Sequence, residues 1–385
     1  MTRAMLIEAR DRLLRYMEQN NFHGYDPYDW LASPFLKPLP HRLQFLAQQV
    51  GRRLPLNLRP ALAVQPGYNP VTLGLSIQAY TYMATTEPDK KDALEKRVRH
   101  LADELERLRS TGYDALCWGY DFHWAARYTS IPAGSPNIVA TGVIIHALFE
   151  AYQVFQLEKL KNMVCRSVSF VTENLNCTES DEGVCYSYSP NDHQLVLNAS
   201  MKAVRLLAQV YFLTQKETYK KRAEAGAAFV IHHQNPDGSW PYALNDARTW
   251  VDNYHTGYIL DCLDIYSALC QDDQARPALE KGLDYYSNTF FYQGRIPKFR
   301  SDRIYPVDST GVAQSILTLS RFEKLDTAWS VADFALQKMR HKNGAFYFRL
   351  YRYYSNRIIY MRWSNAWMVA ALSYLILKTG KNNDA

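Results

Sequence analysis

The chain has six cysteines, at positions 117, 165, 177, 185, 262 and 270, but none in Cys-x-x-Cys spacing and no Cys/His cluster. That pattern argues against a structural zinc site. No Gly-x-Gly-x-x-Gly and no Walker loop is present, so a nucleotide cradle is not expected. There is no Gly-x-Ser-x-Gly elbow and no His-Glu-x-x-His, which removes the familiar signals of serine hydrolases and zinc proteases. No cofactor or metal is expected. No run of about 18 apolar residues suggests a membrane span, and the start, MTRAMLIEARDRLLRYMEQN, lacks the apolar centre of a signal peptide. Lys and Arg total 44 against 38 Asp and Glu, an excess too small and scattered for a nucleic-acid partner. These absences point to a cytoplasmic protein with reduced thiols. Cys177 and Cys185 flank a turn and would pair only on oxidation.

What is present is aromatic and periodic. The 385 residues are 47% hydrophobic and include 28 Tyr and 8 Trp. That composition suits a large helical core, and equally a site that stacks on sugar rings. One kind of segment recurs, with a polar or small start followed by an almost wholly apolar helix. The copies begin at Asn69, Asn137, Asn198, His255, Ser309 and Ser364. Small residues near their starts (Gly74, Gly142, Ser200, Gly257, Gly311, Ala366) are separated by 68, 58, 57, 54 and 55 residues. Between them lie helices with one apolar stripe, such as KKDALEKRVRHLADELERLRS from Lys90, and the helix around Thr2–Gln19 supplies a sixth. A helix apolar all round is buried; a striped helix sits outside it. Six of each predict an all-α (α/α)6 toroid, a single domain over residues 1–385, with 21–68 as an irregular arm over one face.

Each outer helix leads into a Gly-aromatic stretch: ALCWGYDFHW, GVCYSYS, GSWPYAL, GRIPKF and GAFYFR. These read as short hairpins at one mouth, where the inner-helix N-termini converge and their dipoles favour anions. The other end of the ring is expected to carry nothing comparable. Candidates for catalysis at the mouth are Asp121, His123, Asp252, His255, Tyr258 and Asp308. Candidates for substrate binding are Trp118, Arg127, Asn137, Tyr188, His193, Asn198, Trp250, Asn253, Arg300, Arg362 and Trp363. Each Asp is as well explained as a helix cap, each His as a hydrogen-bonded structural group, and each Arg as the partner of a rim Asp.

Gln234-Asn-Pro-Asp-Gly-Ser-Trp240 resembles the Gln/Trp repeat motif of squalene-hopene cyclases and related prenyltransferase-fold proteins. There the Gln and Trp tie an outer helix to the next turn. The cyclases' Asp-x-Asp-Asp is absent, as is the prenyltransferases' zinc set. GYDPYDWL, LRPALAVQPGYNPVTLGL, CWGYDFHWAAR, YSYSP, WVDNYHTGYILDCL and MRWSNAW together resemble a bacterial family found with surface-polysaccharide biosynthesis genes. Some of its members carry the label delta-aminolevulinic acid dehydratase, a TIM-barrel enzyme that this helical pattern does not fit. Glucuronyl C5-epimerases, polysaccharide lyases and several glycoside hydrolases share the expected fold class.

Three functions are compatible with these residues. In the first, an acidic glycan or its lipid-linked precursor loses a proton beside its carboxylate, giving epimerisation or elimination. Arg127 and Arg362 would hold the carboxylate, His255 or His123 would move the proton with Tyr258 as an alternative acid, and Trp118, Trp250 and Trp363 would stack on sugars. In the second, Asp121 with Asp252 or Asp308 hydrolyses a glycosidic bond. In the third, the chain is a non-catalytic glycan-binding module or a scaffold for polysaccharide assembly proteins.

Overall fold

The computed structural model describes residues 1–126 and 130–380. Thirteen α-helices occur among them, in chain order α1 (Arg3–Gln19), α2 (His41–Gly51), α3 (Pro70–Thr86), α4 (Lys91–Arg107) and α5 (Ile138–Phe155). Then come α6 (Glu158–Arg166), α7 (Leu197–Thr214), α8 (Glu217–His232), α9 (Asn253–Cys270) and α10 (Arg276–Thr289). The last are α11 (Ser309–Arg321), α12 (Leu325–Lys338) and α13 (Trp367–Gly380). The odd-numbered helices from α3 to α13 form the inner ring, and α1 with the even-numbered helices from α4 to α12 the outer one. The fold is an (α/α)6 toroid. It closes because α13 packs against both α11 and α3, with α1 lying on α13. Arg10 of α1 ties this seam to Glu87 beyond α3 through a 2.7 Å ion pair.

Burial follows the hydrophobic pattern. Every residue of α3 from Pro70 to Ala84 is buried. The outer helix α4 buries only the stripe Leu94, Val98, Leu101, Ala102 and Leu105, the i, i+4, i+7 spacing of one helical face. One inner helix, α5, is long and apolar enough to cross a membrane by length and composition, contrary to the expectation of no such run. Its 18 residues are instead core, 72% buried within the ring.

Short strands fill the connectors before the inner helices. The hairpins are β1 (Trp124–Ala125) with β2 (Ser130–Ile131), β3 (Cys177–Ser180) with β4 (Gly183–Tyr186), and β5 (Phe291–Tyr292) with β6 (Ile296–Pro297). A three-stranded sheet joins β7 (Val307–Asp308), β8 (Tyr347–Leu350) and β9 (Ser355–Ile359) in that order. Cys177 pairs in register with Tyr186 rather than with Cys185, and Cys185 is buried while Cys177 is exposed. The two thiols sit on opposite sides of the hairpin and do not pair.

The Gln/Trp motif acts as a clamp. Trp240 donates its indole N–H to the carbonyl of Val230 in α8 (2.8 Å), and Gln234 donates to Gly238 and to Ala278 of α10 (3.0 and 2.9 Å). Gly238 has φ +93°, and a Cβ there would lie 2.4 Å from the carbonyl of Lys281; only glycine fits that turn. The arm over residues 21–68 is less irregular than expected, since it contains α2 and a 3₁₀ turn at Asp29–Ala32. It lies over the mouth: Tyr28 meets Trp124 and Trp363 edge-on, with ring centroids 6.4 and 5.4 Å away.

Candidate active site

Four inner helices begin with a side-chain cap. Asn69 accepts from Val71 N, Asn137 from Ala140 N, Asp252 from His255 N and Asp308 from Thr310 N, at 2.8–3.0 Å. Capping satisfies backbone donors that a helix leaves unpaired. Asn137 is thus a cap, and nothing in its contacts assigns it to a ligand.

Asp252 does more than cap. Its Oδ1 takes the His255 backbone N–H, while its Oδ2 accepts from the Trp250 indole at 3.1 Å and lies 2.6 Å from His255 Nδ1. The carboxylate is buried and the imidazole keeps 20% of its side-chain surface exposed. An ionised carboxylate at Nδ1 selects the tautomer with the proton on that nitrogen, leaving Nε2 with its lone pair. No described residue hydrogen-bonds Nε2. The ring packs against Tyr254, Tyr242 and Tyr258 with centroids 4.2, 4.6 and 6.0 Å away. His255 is thus held through Nδ1 in an aromatic surround, with Nε2 bonded to no described residue.

Asp308 has the same place and different company. Its Oδ1 accepts from Thr310 N and from the Trp363 indole (2.9 Å), and its Oδ2 from Arg349 Nε (2.5 Å). Both groups of this pair are buried. Asp308 is a cap and a counter-ion, with no oxygen left for a substrate.

Other expectations need correction. Trp118 is fully buried, and its indole donates to Leu105 O of α4 at 2.7 Å. It repeats the Trp240 clamp and does not face the mouth. Asn253 turns back between helices, where its Oδ1 accepts from Tyr286 and Ser315 at 3.0 and 2.9 Å. Arg362 is buried and bidentate to Asp26 of the arm (2.6 and 2.9 Å), and its guanidinium lies 4.6 Å from the Tyr120 ring centroid. A charge so neutralised is not a free carboxylate clamp. Trp250 is covered by the stacked ring of Tyr242 (5.2 Å) and by Arg300 (4.6 Å), so both Trp250 and Arg300 support Asp252 and do not form an open platform. Arg127 lies outside the described residues.

Of the rest, Tyr188 sits beside Tyr120, Tyr242 and Arg362, and burial pushes its phenol well above the ordinary range. Trp363 meets Tyr254 and Tyr28 edge-on, on the wall that carries His255. His193 is exposed and lines an outer groove with Thr178, Asn245 and Asp246. Burial, then nearby Lys37, pushes His123 below its usual pKa. No hydrogen bond or ring contact joins it to the His255 group among the described residues. Asn198 is buried in the first turn of α7 with its Nδ2 unpartnered. Asp121 accepts from Asn69 at 2.6 Å; burial, opposed by that hydrogen bond, pushes its carboxyl up to about 6.

A polar lining not expected from the sequence lies further down the axis. A cavity there is lined by residues of all six inner helices, among them Tyr258, Lys202, Asp261, Gln314, Arg321 and Trp367. Gln314 donates to Asp261 at 2.7 Å, and Arg321 lies 3.7 Å from the same carboxylate. His146 accepts from Gln209 through Nδ1 (2.9 Å). Burial, with Arg205, Arg321 and Lys202 nearby, pushes its pKa well down, so it is a neutral imidazole beside Glu150. Lys202 is 2% exposed and makes no hydrogen bond or ion pair with any described residue. Its Nζ lies 3.9 Å from the ring centroid of Tyr258, which is 6.0 Å from that of His255. Burial pushes this lysine down to about 8. The signal was in the sequence: Lys202, Arg205 and Gln209 fall on one face of an otherwise apolar helix.

The ring superposes on solved structures of known proteins. A sugar epimerase from a ruminal bacterium matches with a TM-score of 0.67 and 12% identity over 98% of this chain and 99% of that one. Cellobiose 2-epimerase from Bacillus thermoamylovorans gives 0.64 and 12%, over 81% and 88%. A family 76 glycoside hydrolase from a bovine Bacteroides thetaiotaomicron strain gives 0.61 and 10%, over 82% and 70%. At such identities the likeness is one of fold. No protein-family model and no curated protein sequence matches the chain.

Proposed function

We propose that this chain is a carbohydrate-active enzyme that moves a proton at a sugar carbon, as an epimerase or a lyase does. The observation that carries this reading is the Asp252–His255 pair, with Nδ1 held and Nε2 bonded to no described residue, within an aromatic wall. His255 takes the proton. Tyr258, whose phenol burial keeps protonated, is the donor within reach of the same space. The names of the ring's structural neighbours, epimerases and a glycoside hydrolase, support a saccharide as the substrate class. Lys202 takes over the part first assigned to Arg362: a buried ammonium that makes no ion pair with a described residue suits an acidic sugar. The motif resemblance supports a place in surface-polysaccharide biosynthesis, on a glycan or its lipid-linked precursor, within a single cytoplasmic ring domain.

Glycoside hydrolysis is the second reading. It draws on Asp121, whose raised carboxyl suits a general acid, with Asp252 as base.

The two separate in heavy water. Incubated with uronic-acid-containing oligosaccharides, an epimerase should place deuterium on a sugar carbon, read by mass spectrometry, and a lyase should leave an unsaturated uronate, read by its ultraviolet absorbance. His255→Ala should lower that rate about 10²-fold or more. New reducing ends with neither deuterium on carbon nor an unsaturated uronate would favour hydrolysis, and no product at all would leave only binding.

A further inference from the structure

The arm's helix α2 is inside out. Gln44 and Gln48 are buried, whereas Leu43, Leu46 and Val50 are 49%, 57% and 48% exposed. The inward face is polar because it binds backbone. Gln48 exchanges two hydrogen bonds with Ala125 of β1 (3.0 and 3.1 Å), and Gln44 donates to Lys37 O at 2.6 Å. At about 100° per residue, the three exposed apolar side chains fall on one stripe opposite the glutamines. Phe35, Leu56 and Leu58, on the segments that flank the helix in sequence, are also exposed, at 63%, 67% and 40%. The β8–β9 turn adds Tyr353 and Tyr354. Asn356 of β9 donates to Leu54 O at 2.8 Å, and Tyr354 lies near Arg53, so the turn adjoins the arm. Eight of the twelve large apolar side chains exposed among the described residues belong to these two segments. Single exposed apolar residues are ordinary; a contiguous patch marks an interaction surface.

The charge around the patch chooses the partner. No Asp or Glu occurs between Trp30 and Thr86, or between Phe334 and Asn383. Lys37, Arg42, Arg53, Arg352 and Arg357 are exposed there. An apolar stripe with Leu and Phe, tyrosines at its edge and a one-signed basic rim is the pattern that inserts shallowly into an anionic bilayer surface. A protein partner would need a matching acidic rim around an apolar groove, whereas an anionic bilayer presents both along any direction.

We propose that the arm and the β8–β9 turn dock this protein peripherally onto an anionic lipid surface. The arm's inner side carries Tyr28 into the mouth, so the docked protein holds its mouth beside the headgroups. The proposal stands whatever reaction the mouth performs.

Full-length protein sedimented with vesicles tests it. Phosphatidylcholine vesicles containing about one-third phosphatidylglycerol should bind the protein; pure phosphatidylcholine should bind it at least tenfold less. High salt should release it. Leu46→Glu with Val50→Glu should reduce binding by tenfold or more, and Arg42→Glu and Arg53→Glu by about fivefold each. These side chains point outward, so the thermal unfolding midpoint should stay put, and only variants that keep it are compared. Equal binding to neutral vesicles, or full binding by both sets of variants, overturns the proposal. So does a concentration-dependent dimer, seen by light scattering, that Leu46→Glu dissolves, because the patch would then be covered by a second copy.

Discussion

Asp252 and Asp308 head successive inner helices of the ring, each capping its helix and each taking an indole N–H from a tryptophan. They differ in one partner. The second oxygen of Asp308 is spent on the buried Arg349, which closes the group off. The second oxygen of Asp252 holds an imidazole whose far nitrogen bonds to no described residue. One cap therefore ends in a neutralised charge and the other in an oriented imidazole. Capping a helix and orienting a neighbouring ring are not alternatives: a carboxylate has two oxygens and can do both.

The largest expected effects come from exchanging the parts of that comparison. Asp308→Ala strands the buried Arg349 guanidinium and should destabilise the fold by about 3–5 kcal/mol, read as a drop in the chemical denaturation midpoint. Asp252→Asn should change stability by less than about 1 kcal/mol, since Asn caps as well as Asp. It should nonetheless cut deuterium exchange about 10²-fold or more, because the imidazole loses the anion that fixes its tautomer. If both variants merely lower stability, the two aspartates are equivalent and His255 is not a base.

Lys202 sharpens the contrast from below. Its pKa falls from an ordinary 10.5 to about 8 because burial penalises the ammonium. The unfolded chain binds that proton more tightly than the folded one, so the cost is fully present below pH 8. It is relieved as pH rises from 8 towards 10.5. Lys202→Met should therefore raise stability at pH 7, by at most about 3 kcal/mol, with the gain fading above pH 8. If Lys202 holds the substrate's acid group, KM should rise as well.

The smallest effects concern the two indole clamps. Trp118→Phe and Trp240→Phe each remove one buried hydrogen bond to an outer helix. Each should cost about 1–3 kcal/mol and leave the exchange rate per folded molecule unchanged. A selective loss of rate in Trp118→Phe would return that residue to the site.

Much of the ring was legible in the chain. The near-constant spacing of apolar helices and the striped helices between them predicted α3 to α13 and the outer set. The Gly-aromatic connectors predicted one mouth. Hydrophobic periodicity is a local property that accumulates over a helix, so it survives without knowledge of the neighbours. Asp252 and His255 were legible too, being three residues apart at a helix start. The structure added their joint geometry.

What only the tertiary structure decided is which partner each polar group takes. Arg362 is neutralised by Asp26, 336 positions earlier, and no local pattern announces such a pairing. Trp118 turned inward and Trp363 stayed at the mouth, though both precede an inner helix. Lys202, Arg205 and Arg321 stand out as polar residues on apolar helices, but only closure of the ring made their common face an axial cavity. Helical periodicity needs only residues close in the chain, so the sequence carries the ring. Charge pairing acts over a few ångströms between elements distant in sequence, so the site's chemistry waits for the fold.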